Sequence, residues 1–395
     1  MVEVFRVYVS QGRDNYAELE LPARDYEMLD LMERLRLEPG QLPYAELLEV
    51  HEQYDYLERC IRQQPDIFQL NALARKLAKL TSVQELAAFE ELVGMDIEKN
   101  ALPTALSRLV DFAYSTDCCV MAANVMTDYQ LGKFLVENDF IEEANSLPDS
   151  MLALLDYAGI GTEHREREGG VYTGFGYVEQ LSDIQCVSAT MDFQPRRPAY
   201  TVLLNTAALP LNGGGQKSEV LQLRLPAPEE QLRAALEKLG RQDWNDVAAS
   251  IQDCAIPDLN HELYLNGEIP QIVELSQRLS ELDARGELPK YKAILAANDC
   301  RELSEMIALA GTVDIYFFEP QMSSPEDVAR SELGLVLCGQ DAETLLPYLD
   351  LQSYGRALLE RDQAVVTRYG LVEQDKTQQT MEENQAPGRD GMEMM

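Results

Sequence analysis

The chain has 395 residues, 46% of them hydrophobic, and sets 68 Asp and Glu against 33 Lys and Arg, a net charge of −35 at pH 7. That apolar content predicts a folded protein, and the length suits two domains better than one core. The charge argues against a nucleic-acid-binding surface, which needs positive potential to displace counterions, and against anionic membranes; no apolar run approaches a membrane span.

In chain order, Val4, Phe5, Val7, Tyr8 and Val9 predict a first strand. The alternating Ala17, Leu19 and Leu21 predict a second, which Pro22 ends. A helix follows, with Met28, Met32 and Leu35 on its apolar stripe. Ile67, Leu70, Leu73, Leu77 and Leu80 predict a helix over 67–80, with Asp66 placed to cap its free N–H groups. Helices are expected at 83–93, 103–112 and 128–137, a short strand near Cys119–Ala122, and a closing hairpin in GGVYTGFGYV. The pattern then starts again. Leu221, Leu223 and Leu225 make a strand ended by Pro226, and Leu232, Leu236 and Leu239 mark the next helix. Ile269, Ile272, Leu275, Leu279 and Leu282 mark another helix, Val313–Phe318 a strand, and AVVTRYGLV a second hairpin.

This recurrence extends to residue identity. LELPARDYEMLDLMERL (19–35) parallels LRLPAPEEQLRAALEKL (223–239) at an offset of 204, and the helices beginning at Ile67 and Ile269 match at 202. Residues 151–180 match 345–374 at an offset of 194, with Asp156/Asp350, Gly161/Gly355, Glu166/Glu360, Arg167/Arg361, Thr173/Thr367, Gly176/Gly370, Val178/Val372 and Glu179/Glu373 among the identities. Three segments in one order imply a tandem duplication. The expected fold class is therefore α+β, an elongated unit of small β-rich, helical and mixed subdomains occurring twice. Residues 1–192 form the first copy and 199–374 the second. Residues 193–198, with two prolines and an arginine pair, form the linker, and the acidic tail 375–395 lacks apolar periodicity and is expected to be disordered. The acidity belongs to both halves: 35 acidic against 17 basic residues over 1–200, and 33 against 16 over 201–395.

Chemistry-bearing motifs are scarce. His51, His164 and His261 form no HExxH pair and stand at no metal-ligand spacing from cysteine; His51 and His261 read as solvent-exposed. Cys60, Cys118, Cys119, Cys186, Cys254, Cys300 and Cys338 form no C-x-x-C and read as small core residues. Their odd number, with Cys118 and Cys119 adjacent, points to free thiols in a reducing cytoplasm, and Met1 to Ser10 alternates instead of forming a signal-peptide core. Asn212-Gly-Gly-Gly-Gln-Lys-Ser218 lacks the adjacent Gly-Lys-Ser/Thr of a phosphate loop and precedes a strand, so a turn is expected. Gly170, Gly174 and Gly176 belong to a hairpin. No nucleophile–base pair, metal ligand or cofactor site is expected, and no enzymatic activity.

What remains is the charge. Duplex DNA carries one charge per ~1.7 Å of axis, so this surplus matches that of roughly 60 Å of duplex. A surface imitating a polyanion would be drawn to any basic DNA cleft. In the first copy the candidate phosphate mimics are Asp14, Glu18, Glu20, Asp25, Glu52, Asp55, Glu58, Glu137, Asp139, Glu142, Glu143, Glu163, Glu166 and Glu168. In the second they are Glu229, Glu230, Asp253, Asp258, Glu262, Glu326 and Asp327.

The segment LSRLVDFAYSTDCCVMAANVMTDYQLGKFLVENDF (106–140), followed by LPDSMLALLDYAGIG and GGVYTGFGYVEQ, resembles the ArdA-type antirestriction proteins of conjugative plasmids and transposons. LLPYLDLQSYGR (345–356), Val328-Ala329-Arg330, Asp55-Tyr56 and Leu70-Asn71-Ala72-Leu73 are similar to further parts of that family. The resemblance covers most of the first copy and the end of the second. It implies an acidic, three-subdomain mimic of bent B-form DNA that occupies the DNA groove of type I restriction–modification enzymes, usually as a dimer. Here one chain would supply both halves as a pseudo-dimer, or pair as a homodimer. The sequence departs from the family in lacking its N-terminal Gly-x-Trp pattern; the sole tryptophan is Trp244. Alternative partners are another DNA-guided defence complex such as a CRISPR effector, or a protein bound through an apolar groove by an acidic adaptor.

Overall fold

A computed structural model describes residues 2–375 apart from 13–14, 39, 101, 145, 210–219, 261–267 and 337–344. The glycine-rich segment at 212–218, His261, Glu262, Asp14, Cys338 and nearly all of the tail lie outside the described residues. Two compact units result: unit 1 comprises Met1–Val9, Ala17–Ala23 and Leu42–Gln194, and unit 2 comprises Ser10–Tyr16, Arg24–Gln41 and the chain from Pro195. The dividing point at 194/195 falls inside the segment read as a linker, while the first hairpin's tip and the helix after it group with unit 2.

The first copy runs β1 (Phe5–Gln11), β2 (Asn15–Leu21), α1 (Asp25–Leu35), β3 (Tyr44–Val50), α2 (Ile67–Leu77), α3 (Val83–Lys99), α4 (Leu106–Tyr114), β4 (Cys119–Ala123), α5 (Asp128–Glu137), α6 (Asp149–Leu152), α7 (Tyr157–Glu168), β5 (Val171–Thr173) and β6 (Gly176–Gln180). The second runs β7 (Val202–Ala208), β8 (Val220–Leu225), α8 (Glu229–Lys238), β9 (Val247–Cys254), α9 (Ile269–Ala284), α10 (Leu288–Ala297), α11 (Leu303–Ala310), β10 (Tyr316–Glu319), α12 (Pro325–Val336), α13 (Leu351–Asp362), β11 (Val365–Thr367) and β12 (Gly370–Gln374). The fold class is α+β. Each copy holds two three-stranded sheets of the same topology: β2-β1-β3 and β4-β6-β5 in the first, β8-β7-β9 and β10-β12-β11 in the second.

The repeated identities explain why the framework repeats. Asp156 and Asp350 cap α7 and α13, each accepting a backbone N–H three residues on at 3.0 Å, from Gly159 and Ser353. Gly161 and Gly355 let one helix approach another's backbone. A Cβ there would stand 1.9 Å from the Asp128 carbonyl oxygen, or 1.8 Å from that of Pro325, inside any real contact. In both hairpins the threonine hydroxyl donates to the glycine carbonyl, Thr173 to Gly176 at 3.0 Å and Thr367 to Gly370 at 2.8 Å. The same hydroxyl accepts from the N–H two residues on, of Phe175 or Tyr369. Val178 and Val372 point into the cores.

Several features depart from the sequence expectation, among them α4, which spans Leu106–Tyr114 instead of 103–112, and β7, α10, α11 and α12, which were not among the expected elements. The third strands β3 and β9 were not foreseen; β3 lies at a sheet edge with only Ala45 fully buried, so its apolar alternation is blurred. Helices α7 and α13 were not foreseen either: YAGIGTEHRERE has no apolar period and is fixed by its packing on α5, whereas α13 buries Leu351 and Leu358 and packs on α12. Helix α3 runs six residues beyond the expected 93, started by a capping box in which Ser82 and Glu85 satisfy each other's backbone N–H groups. Residues 313–315 form a 3₁₀ turn, and the strand begins at Tyr316. No helix among the described residues is long and apolar enough to cross a membrane.

Candidate acidic interface

In unit 1 the secondary structure turns the candidate carboxylates outward. Glu18 and Glu20 alternate with Ala17, Leu19 and Leu21, so strand β2 buries its apolar face and presents both acids on the other, roughly 7 Å apart along the strand. Tyr54 and Leu57 anchor the 3₁₀ segment 52–57, leaving Glu52, Asp55 and Glu58 exposed. Tyr54 breaks the helical path, so Glu52 is set apart. Asp55 and Glu58 are one 3₁₀ turn apart, a spacing that superposes side chains at a rise of about 6 Å. Glu163 and Glu166 lie one turn apart on α7, and Glu142 and Glu143 follow α5. Glu137, Asp139 and Glu168 are exposed as well. Glu137 pairs with Lys133 at 3.5 Å and Glu168 with Arg167 at 2.7 Å. Among the described residues no ion pair engages Glu18, Glu20, Glu52, Asp55, Glu58, Glu142, Glu143, Glu163 or Glu166.

Unit 2 treats its candidates differently, and three need correction. Asp253 is 3% exposed, not a surface charge: it sits on β9 beneath Tyr200, whose hydroxyl donates to it at 3.0 Å. Burial pushes its carboxyl up to about 6 against that hydrogen bond. Asp327 is engaged within the protein, accepting from the Ser323 and Ser324 hydroxyls at 2.8 Å each as it closes the start of α12. Asp258 is exposed but paired with Arg368. Asp25 and Glu326 are half-buried. Glu229 pairs along α8 with Arg233 at 3.1 Å, and Glu230 is exposed.

Sequence reasoning missed the buried ionic groups. In unit 2, Lys292 on α10 is 2% exposed and donates to Asp30 at 2.8 Å and Glu33 at 2.7 Å, both on α1. The Tyr369 hydroxyl adds a third bond, to Asp30 at 2.9 Å. Burial alone would lower the Lys292 pKa, but the two carboxylates outweigh it and the net shift is upward. In unit 1, Glu91 on α3 is 1% exposed, and neither carboxylate oxygen has a hydrogen-bond partner among the described residues. Burial, with Glu179 nearby, pushes its pKa up to about 8, so the group is largely protonated at neutral pH. Asp128 at the start of α5 gathers Thr162 (2.8 Å), Arg165 (2.9 Å) and Tyr172 (2.7 Å), and is held well below the usual carboxylate range by Arg165 first. A single acid among many acids gives no sequence signal. Only its place on an apolar helix face distinguishes Glu91.

The histidines and cysteines also need partial correction. His51 is half-buried and accepts the Gln53 N–H, while His164 pairs through Nε2 with Glu179 at 2.8 Å. Cys60, Cys118, Cys119 and Cys254 are buried as expected. Cys186 is exposed and Cys300 partly so, because both lie between regular elements. Burial pushes the Cys118 and Cys119 thiols up, away from the reactive thiolate. No group of three or more His, Cys, Asp or Glu among the described residues could hold a metal ion. Comparison with models of known protein families and with curated proteins finds no match to this chain.

Proposed function

We propose that this protein is a non-catalytic inhibitor that imitates the charge of duplex DNA and occupies the DNA-binding groove of a type I restriction–modification enzyme. The observation that carries the reading is a set of exposed carboxylates in unit 1, Glu18, Glu20, Glu52, Asp55, Glu58, Glu142, Glu143, Glu163 and Glu166, each held outward by a strand, turn or helix and none in an ion pair among the described residues. Ordinary surface acids are commonly interleaved with basic partners. A surface meant for another molecule's Lys and Arg has reason to leave its acids unpaired. The resemblance to ArdA-type proteins selects the type I enzyme as partner, and the charge of −35 supplies long-range attraction to a basic cleft.

The test is competition. Purified type I enzyme and a purified CRISPR effector are each loaded with labelled duplex DNA and titrated with the protein at low and moderate salt. Displacement from the type I enzyme that weakens steeply as salt rises supports the reading. Displacement from the effector alone transfers the mimicry to that partner. Binding that is indifferent to salt favours an adaptor and ends the charge-mimic account.

A further inference from the structure

Unit 2 contains a cavity of about 290 Å³ lined by Asn15, Tyr16, Arg34, Arg36, Ser323, Val366, Thr367 and Arg368. Three arginines and no acid line it, in a chain where acids outnumber bases two to one. The arginines come from separate elements: Arg34 and Arg36 from the end of α1, Arg368 from the turn between β11 and β12. Arg34 Nε and both terminal nitrogens of Arg36 are buried without a hydrogen-bond partner among the described residues. Arg36 is held in place by its Nε, which donates to the Pro320 carbonyl, and Arg368 by its pair with Asp258.

Three guanidinium groups converging on one cavity favour a ligand that accepts hydrogen bonds from them. The fold does not require them. At the offsets that align the copies, Arg368 stands opposite Gly174 and Arg34 opposite Lys238, and Arg36 opposite Gly240; only Thr367 is shared, for its role in the hairpin.

We infer that this cavity binds a phosphate dianion, as inorganic phosphate or as the head of a small phosphomonoester. Asp258 balances Arg368 and Asp327 acts on Arg36, so the three guanidiniums keep a net positive charge that favours an anion. Guanidinium forks suit the several acceptor oxygens of a tetrahedral anion. The volume is about ten times a water molecule's share of the liquid, room for the anion with a small organic group or bridging waters. This site is independent of the acidic surface of unit 1.

Calorimetric titration of the full chain with inorganic phosphate and with adenosine monophosphate tests it, ionic strength being held constant with chloride. Saturable one-to-one binding is expected, weakened about tenfold or more by Arg36→Gln and by Arg34→Gln. Tighter binding of the nucleotide assigns the cavity to a phosphomonoester; equal affinity assigns it to the ion. Arg34→Gln removes a guanidinium whose Nε makes no hydrogen bond among the described residues, so it reports on the site even if Arg36→Gln impairs folding. Absence of saturable binding by both probes, or affinities unchanged in both variants, overturns the inference. So does tighter binding of a glutamate-rich peptide than of phosphate.

Discussion

The helix that packs beneath the closing sheet buries a base in one unit and an acid in the other. At the offset of 202 that aligns α2 with α9, Lys292 and Ala293 of α10 stand opposite Glu90 and Glu91 of α3. In unit 2 the buried cation is saturated by Asp30 and Glu33, with Tyr369 completing the network through Asp30. In unit 1 Glu90 is half-buried and Glu91 is buried with no partner among the described residues. The surfaces differ in parallel: nine candidate carboxylates of unit 1, Glu18, Glu20 and Glu163 among them, are exposed and outside any ion pair among the described residues, while in unit 2 most are buried, capped or paired. One framework, held by matching caps, glycines and hairpin threonines, therefore accommodates two electrostatic programmes. Topology and charge are specified by different residues.

The sharpest way to break this contrast is Lys292→Met, which leaves Asp30 and Glu33 buried without their cation. A loss of about 3–5 kcal/mol is expected in denaturant unfolding, because removing one partner of a buried pair strands the other.

Glu91→Gln should act in the other direction. The folded carboxyl titrates at about 8 and the unfolded one near 4.5, so between these values the unfolded chain releases a proton that the folded protein retains. Stability falls as pH rises through that window, and the loss is complete above about 8. The variant, measured against the parent, should gain about 4 kcal/mol at pH 8 and nothing at pH 4. A constant difference across that range would contradict the assignment of Glu91 as the titrating group. Gly161→Ala and Gly355→Ala come next, at about 1–3 kcal/mol each. The added Cβ meets backbone in both units, outweighing the better helix propensity of alanine. Similar losses at the two sites would support a shared framework, and a loss at only one would divide it. The smallest effect belongs to single neutralisations such as Glu18→Gln or Glu163→Gln. Each should alter stability by under about 0.5 kcal/mol and leave competition with DNA nearly unchanged, since the attraction is distributed.

Much of the framework was legible in the sequence because local rules act there. Pro22 and Pro226 follow the last residues of β2 and β8, Asp66 accepts from the Phe68 and Gln69 N–H groups, and α5 spans 128–137. The elements that escaped notice are set by tertiary contact: α7 is polar with two glycines and gains its helix from α5, and β3 is completed by its neighbour in the sheet. The acidic surface was legible as a quantity and less well as a place. Glu18 and Glu20 could be oriented by strand alternation, whereas the burial of Asp253 depends on its register in β9 and on Tyr200 above it. The arginine-lined cavity left no local trace, because its cations converge from segments more than 300 residues apart.

The most direct test of the account is a variant of unit 1 in which Glu18, Glu20, Glu52, Asp55, Glu58, Glu163 and Glu166 are changed together to the corresponding amides. It is compared with the parent for displacement of duplex DNA from purified type I restriction–modification enzyme at low salt, after circular dichroism establishes that both are folded. The account predicts that the parent displaces the DNA and the folded variant does not. Equal displacement by both proteins, or none by the parent, would contradict it.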